Sequence, residues 1–523
     1  MKKLITIMIS VTFILTITSC EDFLEEKPKN QISVNQYFNS PDDVKSVVNS
    51  LYGLAAMNRY ISGDFQIEMN LGGFMSGMFE NERTERPGPY EATHLTLDSK
   101  NMDGFMYDWW REGYDAISRA NTAIKYIPGV ETLSEADANK LLAEARFFRA
   151  FNYFFLVKDF GDVPLITDPY ESLENIYVSR TPSSQVYDLI IEDLEWALNN
   201  GGLPDVLLTD NGMRITKGVV AATLADVQLQ KAGYPLEGGA DSYKEAAKAA
   251  RIVINSNVYS LIPNGNTADE SAFNKMRISE NEPEYIFSVE AHEQYRWTWL
   301  HILSVPKYAA IPGIISGDVW IGYRPLEEFL RVYNPEVDLR GQNNQIWHNS
   351  VERDGVTYDF NGNWAPYTWY DETALYQTNK GGKDVSITLY SEVLLIAAEA
   401  IAQSEGVTNE AVGYLADVRS RAYWQTEKSA IVAELAGLSK DQFIKEVWKE
   451  RLRELPLTYK IWPDIQRTRL YPVTSEANPG EVNFVNVVGH TNPYGATYQE
   501  KHLLYPISTR VRERNPELTG NGY

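Results

Sequence analysis

The stretch from Glu144 to Ile166, EARFFRAFNYFFLVKDFGDVPLI, constrains the fold of this chain more than any other. Ala145, Phe148, Asn152, Phe155 and Leu156 recur three to four apart, and Phe147, Phe151 and Phe154 widen the stripe until most of the helix circumference is apolar. Such a helix belongs at the centre, with other elements packed around it. Three charges ride on it. Glu144, Arg146 and Arg149 can enter low dielectric only if paired, so Glu144 is expected to meet one of those two arginines or an arginine elsewhere. Asp159, Gly161 and Pro164 then stop the helix and send the chain out extended.

Helical signals flank this centre on both sides. Ser40-Pro41-Asp42-Asp43 reads as an N-cap, an N1 proline and two first-turn acids, followed by the face Val44, Val47, Val48, Leu51 and Ala55. Trp109, Gly113, Ala116, Ile117, Ala120, Ile124 and Ile127 mark a longer helix, on which Trp109, Trp110 and Tyr114 sit at core spacing. Ser134, Thr181, Thr216 and Ser242 read as the caps of the next four helices, with Glu245 completing a capping box on Ser242. Segments 385–404, 408–423 and 439–454 carry further apolar stripes, the last opened by a Ser439–Gln442 capping box. Helices of this length joined by short turns suggest pairs of the tetratricopeptide kind in a mainly α scaffold, about residues 40–257 and 384–470.

Between those halves the composition changes. Residues 258–383 hold six of the twelve tryptophans, Trp297, Trp299, Trp320, Trp347, Trp364 and Trp369. Asp354-Gly355 and Asn361-Gly362 each sit between short β-favouring runs, as hairpin turns do. This is an irregular lobe of loops and short strands resting on the helices. A second irregular stretch, Asp64 to Met102, has no helical period and many Gly, Pro and Asn. The helical markers on either side of the lobe need each other, so residues 20–523 read as one composite domain.

The first residues are of another kind. Lys2 and Lys3 precede an apolar run, Leu4 to Ile17, that is too short to span a bilayer and is placed like the h-region of a signal peptide, residues 1–19. It ends Ile17-Thr18-Ser19-Cys20. Cys20 is the only cysteine, so an exported chain has no internal disulfide to make with it, and lipid attachment is the better account. Cleavage removes Lys2 and Lys3 and no acid, moving the formal charge from −23 to −25. That charge, without a basic run, weighs against nucleic acid or anionic lipid as partners.

Few residues offer covalent chemistry. The six histidines, His94, His292, His301, His348, His490 and His502, form no metal-binding motif, and no metal or cofactor is expected. The glycine-flanked Ser76 and Ser316 have the wrong spacing for a nucleophile elbow. Asp359-Phe-Asn361-Gly362-Asn363 begins like a calcium loop but lacks its sixth-position glycine and twelfth-position glutamate, which favours a hairpin turn. No residue is singled out as catalytic. A paired-carboxylate glycoside hydrolase stays open as an alternative, because the 71 Asp and Glu have no visible spatial separation in sequence.

Aromatic side chains on loops are the stronger signal, since sugar rings stack their C–H faces on indole or phenol while their hydroxyls seek amide, carboxylate or guanidinium partners. Tyr90, Trp297, Trp299, Trp320 and Tyr323 suit the first task, and Asn81, Glu82 and Arg83 the second. If extended, the segment bearing Tyr295, Trp297 and Trp299 would put all three rings on one side.

The string EARFFRA…F…LVKDFGDVPLI resembles the signature helix of the SusD-like (SusD/RagB) family of outer-membrane nutrient-binding lipoproteins. Further markers follow in family order: WWREGYDAISRAN, SRTPSSQVYDLIIEDLEWAL, EYIFSV, LYSEVLLIAAEA…VRSRA and LLYPISTRVRERNPELTGNGY. The chain departs from the family pattern at LPLTYKIWPDIQR, where Lys460 and Pro463 replace the usual run. The resemblance implies a scaffold of degenerate tetratricopeptide pairs and a surface-export signal in Glu21, Asp22, Glu25 and Glu26. It places ligand-stacking aromatics near Trp320 and Tyr323, before RPLEEFLRVY. It implies no enzyme. The expected role is capture of oligosaccharide at the exterior of the cell outer membrane and its delivery to a SusC-like TonB-dependent transporter; peptide-binding relatives occur in the same family.

Overall fold

A computed structural model describes residues 38, 40–62, 71–170 and 176–523. The expected leader, Cys20, the acids after it and residues 64–70 of the early irregular stretch lie outside them. Helix Glu135–Phe160 is buried along most of its length, opened by Ser134, whose hydroxyl accepts the Asp137 amide, and closed at Gly161. Gly161 has φ +75°, a conformation that a side chain would strain.

Packing proceeds helix by helix along the chain. Asp103–Tyr126 lies on the central helix, which lies on Ser183–Asn200, then Lys217–Ala232, then Gly239–Asn255. Gly239–Asn255 meets Tyr390–Ser404 across the 134 residues that separate them in sequence, and Tyr390–Ser404 carries Asn409–Ala422 and Lys440–Glu454. The fold is mainly α, with sequential helices paired as tetratricopeptide-type units and only short strands.

The charges of the central helix find partners on other elements. Glu144 Oε2 takes Arg214 Nη2 at 2.5 Å and the Tyr52 hydroxyl at 2.8 Å. Arg146 and Arg149 both converge on Asp193, at 2.8 and 2.7 Å. Residues two apart on a helix do not face each other, which is why Glu144 ignores Arg146.

Ser40, Thr216 and Ser439 cap their helices as expected, Ser40 and Ser439 with full capping boxes. Three expectations are corrected. Thr181 caps nothing: the helix starts at Ser183, whose N–H and hydroxyl both donate to Asp162 Oδ1 at 2.7 and 2.6 Å. Ser242 lies inside a helix that begins at Gly239, and Glu245 pairs with Lys248 instead. Val385–Leu389, expected to begin a helix, is a strand antiparallel to Tyr285–Val289, and the helix begins at Tyr390. A short, uninterrupted apolar run does not distinguish the two states by period.

The lobe is built of short antiparallel strand pairs. Ser350–Arg353 and Val356–Asp359 form the expected hairpin, with Asp354 and Gly355 both at positive φ, the backbone of a type I′ turn. Asn361-Gly362 also turns the chain but makes no hairpin, because Ala365–Pro366 pairs with Trp347–His348. Asp359 Oδ1 accepts the Asn361 amide at 2.6 Å, so this carboxylate serves its own turn.

Two buried ion networks tie the parts together. Lys460, in the segment that departs from the family pattern, lies 2.9 Å from both Asp226 and Glu392, and Pro463 falls in the first turn of helix Ile461–Thr468, where its missing N–H costs nothing. In the lobe, the fully buried Arg340 contacts Asp338, Glu450 and Glu454 at 2.9, 2.8 and 2.8 Å. Glu454 also takes Arg421, which reaches Glu284, and Glu450 takes Arg419. Asp338, Arg340 and Glu284 belong to the lobe, and Glu450, Glu454, Arg419 and Arg421 to scaffold helices, so the network clamps one onto the other.

Candidate functional site

The early loop and the lobe are joined by a ladder between segments some 240 residues apart. Phe79–Glu80 pairs with Arg324–Pro325, the Leu326 amide donates to Met78 O, and Glu82 exchanges bonds with Ile321 through both its backbone and its carboxylate. Burial pushes the Glu82 carboxyl up, while the Ile321 amide, 2.6 Å away, holds it down. This pairing sets Arg83 over the Trp320 ring, 3.8 Å from its centroid.

From Arg83 a continuous polar and aromatic face spreads outward. Arg83 Nη2 meets Asp318 at 2.6 Å, and that hydrogen bond holds the Asp318 carboxyl below its ordinary range; Lys307 lies 3.6 Å from the other Asp318 oxygen. Beside Lys307, Tyr308 is 45% exposed, and its hydroxyl accepts from Asn363 Nδ2 at 2.8 Å. Asn363 takes Arg324, Arg324 pairs with Glu80, and Glu80 accepts the Tyr494 hydroxyl at 2.6 Å. The Tyr494 ring approaches His94, on which Tyr90 stacks at 4.1 Å, and Tyr90 is again 45% exposed. Two half-open phenol faces therefore bound a strip of guanidinium, carboxylate and amide groups. That combination can stack sugar rings at its ends and hydrogen-bond their hydroxyls between.

Of the sequence-predicted residues, Arg83 and Tyr90 stand on this face. Trp320 and Tyr323 do not present rings to solvent, each being 2% exposed, and the expectation that they stack on ligand is corrected: Trp320 is the platform beneath Arg83, and Tyr323 stacks on Phe79 at 4.2 Å inside the core. Asn81 is likewise buried, donating to Gly322 O and accepting from the Arg83 amide, so it shapes the loop. Trp297 and Trp299 lie apart from the face, and the common side expected for them and Tyr295 is not formed. The chain turns at residues 293–295, leaving Tyr295 stacked on His292, Trp297 under the Lys380 ammonium at 4.2 Å and Trp299 beside His301. Trp109 and Trp110 are core residues, as expected. Tyr308, Asp318, Asn363 and Tyr494 were not singled out from sequence, since each reads as an ordinary loop residue until the ladder brings four segments together.

Among the described residues no group of three or more His, Cys, Asp or Glu is arranged to hold a metal ion, and no helix is long and apolar enough to cross a membrane.

Comparison with known proteins bears on family and fold. The family described as "Starch-binding associating with outer membrane" matches residues 22–229, and the SusD family matches residues 284–523. SusD-like protein P2 of Formosa agariphila is 26% identical over 483 residues, 88% of this chain and 90% of the relative. A crystal structure of a SusD superfamily protein from Parabacteroides distasonis superposes with a TM-score of 0.78 at 27% identity, over 92% of this chain and 99% of that one. Surface glycan-binding protein A from Bacteroides uniformis shares the fold, with a TM-score of 0.70 at 20% identity over 92% of this chain and 99% of its own.

Proposed function

The chain belongs to the SusD/RagB family, and from that premise we propose that it is a glycan-binding protein of the outer-membrane surface, which captures oligosaccharide on the Tyr90–Arg83–Tyr308 face and hands it to a SusC-like TonB-dependent transporter. The observation that carries the reading is the face itself: exposed phenols, Tyr90 stacked on His94 and Tyr308 bonded to Asn363, flanking a strip of paired polar groups. Rings supported in this way lose little freedom on binding, which favours capture of a flexible polyhydroxylated chain. Binding without bond cleavage is the expected activity. Native electrophoresis through gels containing polysaccharide should retard the protein, with no reducing ends released on incubation; release of reducing ends would favour the glycoside hydrolase instead.

Anchoring is proposed at Cys20, with the acids that follow it as the export signal. A fatty-acid analogue should label the wild type, and mild detergent extraction should bring a β-barrel of the transporter class with it, across an interface above about 2,000 Å² if the complex is long-lived. Cys20→Ala should lose the label and appear in the soluble fraction. Equal labelling of the variant would rule out the anchor, and a wild-type chain recovered alone at every salt concentration would rule out the stable complex.

A further inference from the structure

A cleft of about 790 Å³ opens on another part of the lobe, walled by Trp369, Tyr370 and the strand Val385–Leu389, and it contains none of the face residues. Its size falls within the roughly 300–1,000 Å³ typical of ligand sites. The turn Leu300–Leu303 links the two regions: His301 lines the cleft, while the Ile302 carbonyl accepts the N–H of Trp320, on which Arg83 rests.

The chemistry of the walls is one-sided. Glu280, Glu293, Asp371, Glu372 and Asp384 all line the cleft, and among the described residues no cation lies within ion-pair distance of any of them. Two cations, Lys383 and Arg277, line the cleft beside them. Lys383 Nζ donates to the carbonyls of Met276 and Arg277, both at 2.5 Å, and Arg277 donates to Tyr370 O at 2.9 Å. Burial and the neighbouring Arg277 hold the Lys383 ammonium down at about 7, and burial raises the Asp384 carboxyl to about 7, so neither carries a full charge near neutrality. His301, 1% exposed, makes no well-formed hydrogen bond at either ring nitrogen. Burial lowers the basicity of His301 against the opposing effect of Asn379, which is itself bonded to Ser316 Oγ. At the rim, Ile278 is 71% exposed, and Tyr295, 80% exposed, stacks on the lining residue His292.

We propose that this cleft is a second glycan site, separate from the face, which admits sugars without acidic groups and rejects uronates and sulfated sugars. Carboxylates with free acceptor positions suit hydroxyl donors, and an imidazole without a settled partner can add one more bond. An anionic ring would meet Glu280, Glu293, Asp371, Glu372 and the partly ionised Asp384 against only Arg277 and a partly charged Lys383, a net repulsion that low dielectric enlarges. At the rim, Ile278 and Tyr295 supply surface for ring faces.

The inference rests on the glycan-binding reading, and the test separates the two. Maltohexaose, laminarihexaose, xylohexaose, mannohexaose and hexagalacturonate are titrated calorimetrically into wild type, into Tyr90→Ala/Tyr308→Ala, and into that double variant with Thr373→Trp added. Thr373 is exposed on the cleft lining, so the indole narrows the cleft without entering the core. At least one neutral hexasaccharide should still bind the double variant and lose at least tenfold in affinity with Thr373→Trp, while hexagalacturonate should not bind there. Glu372→Lys in the same background, also at an exposed lining position, should improve hexagalacturonate binding relative to the neutral sugars. Binding by wild type but not by the double variant overturns the second site and leaves the glycan-binding reading standing. Binding to the double variant that Thr373→Trp leaves unchanged, or equal binding of hexagalacturonate, also overturns it. Failure of every sugar on the wild type removes both.

Discussion

Arg340→Met is expected to lower the free energy of unfolding by about 3–5 kcal/mol, the cost of leaving buried carboxylates without their counter-charge. Asp338, Glu450 and Glu454 each lose a contact under 3 Å, and all three are essentially inaccessible to water. Urea denaturation at neutral pH measures the effect, with Arg251→Ala as the comparison. Arg251 makes equally short pairs with Glu405 and Glu410, but it lies where solvent screens them, so its loss should cost under about 1 kcal/mol. The Arg340 deficit should also shrink in acid. Burial raises the Glu450 carboxyl, but Arg340 and Arg419 outweigh it and hold the group at about 2, below its ordinary 4.5. A depressed carboxyl contributes stability that is present above its unfolded value and lost as pH falls from about 4.5 toward 2, so the wild type forfeits in acid what the variant already lacks. A deficit no larger than that of Arg251→Ala would mean the network does not clamp lobe to scaffold.

How much of this was legible in the sequence depended on distance along the chain. The central helix, the caps at Ser40, Thr216 and Ser439, and the hairpin at Asp354-Gly355 are specified by residues within four positions of each other, and they formed as expected. Val385–Leu389 was misread because five apolar-rich residues carry no period, and its strand partner lies a hundred residues upstream. Glu144 needed an arginine, but nothing local pointed to Arg214. The site was less legible still. Aromatic character marked Trp320 and Tyr323, yet large rings fill cores as readily as they meet ligands, and these two do the former. Tyr308 and Asp318 acquire meaning only when the Glu82–Ile321 exchange places the early loop on the lobe.

On the face, the largest losses are expected from removing both rings. Each exposed phenol that stacks on a sugar should contribute on the order of 1–2 kcal/mol, so Tyr90→Ala/Tyr308→Ala should lose roughly 30-fold or more in affinity. Neither ring is buried, so the melting temperature should stay near that of the parent. Arg83→Ala should weaken binding by about tenfold through lost hydroxyl contacts. Trp320→Ala should behave differently, costing about 3–5 kcal/mol of stability as a core truncation and weakening binding as well, because Arg83 loses its platform.

The measurement that bears most directly on the central claim is calorimetric titration of wild type and Tyr90→Ala/Tyr308→Ala with the glycan that most retards the wild type in gels, alongside a melting curve for each. The account predicts tight, saturable binding to the wild type and a loss of roughly 30-fold or more in the variant, with melting temperatures that agree. A variant that binds this glycan as the parent does would contradict it.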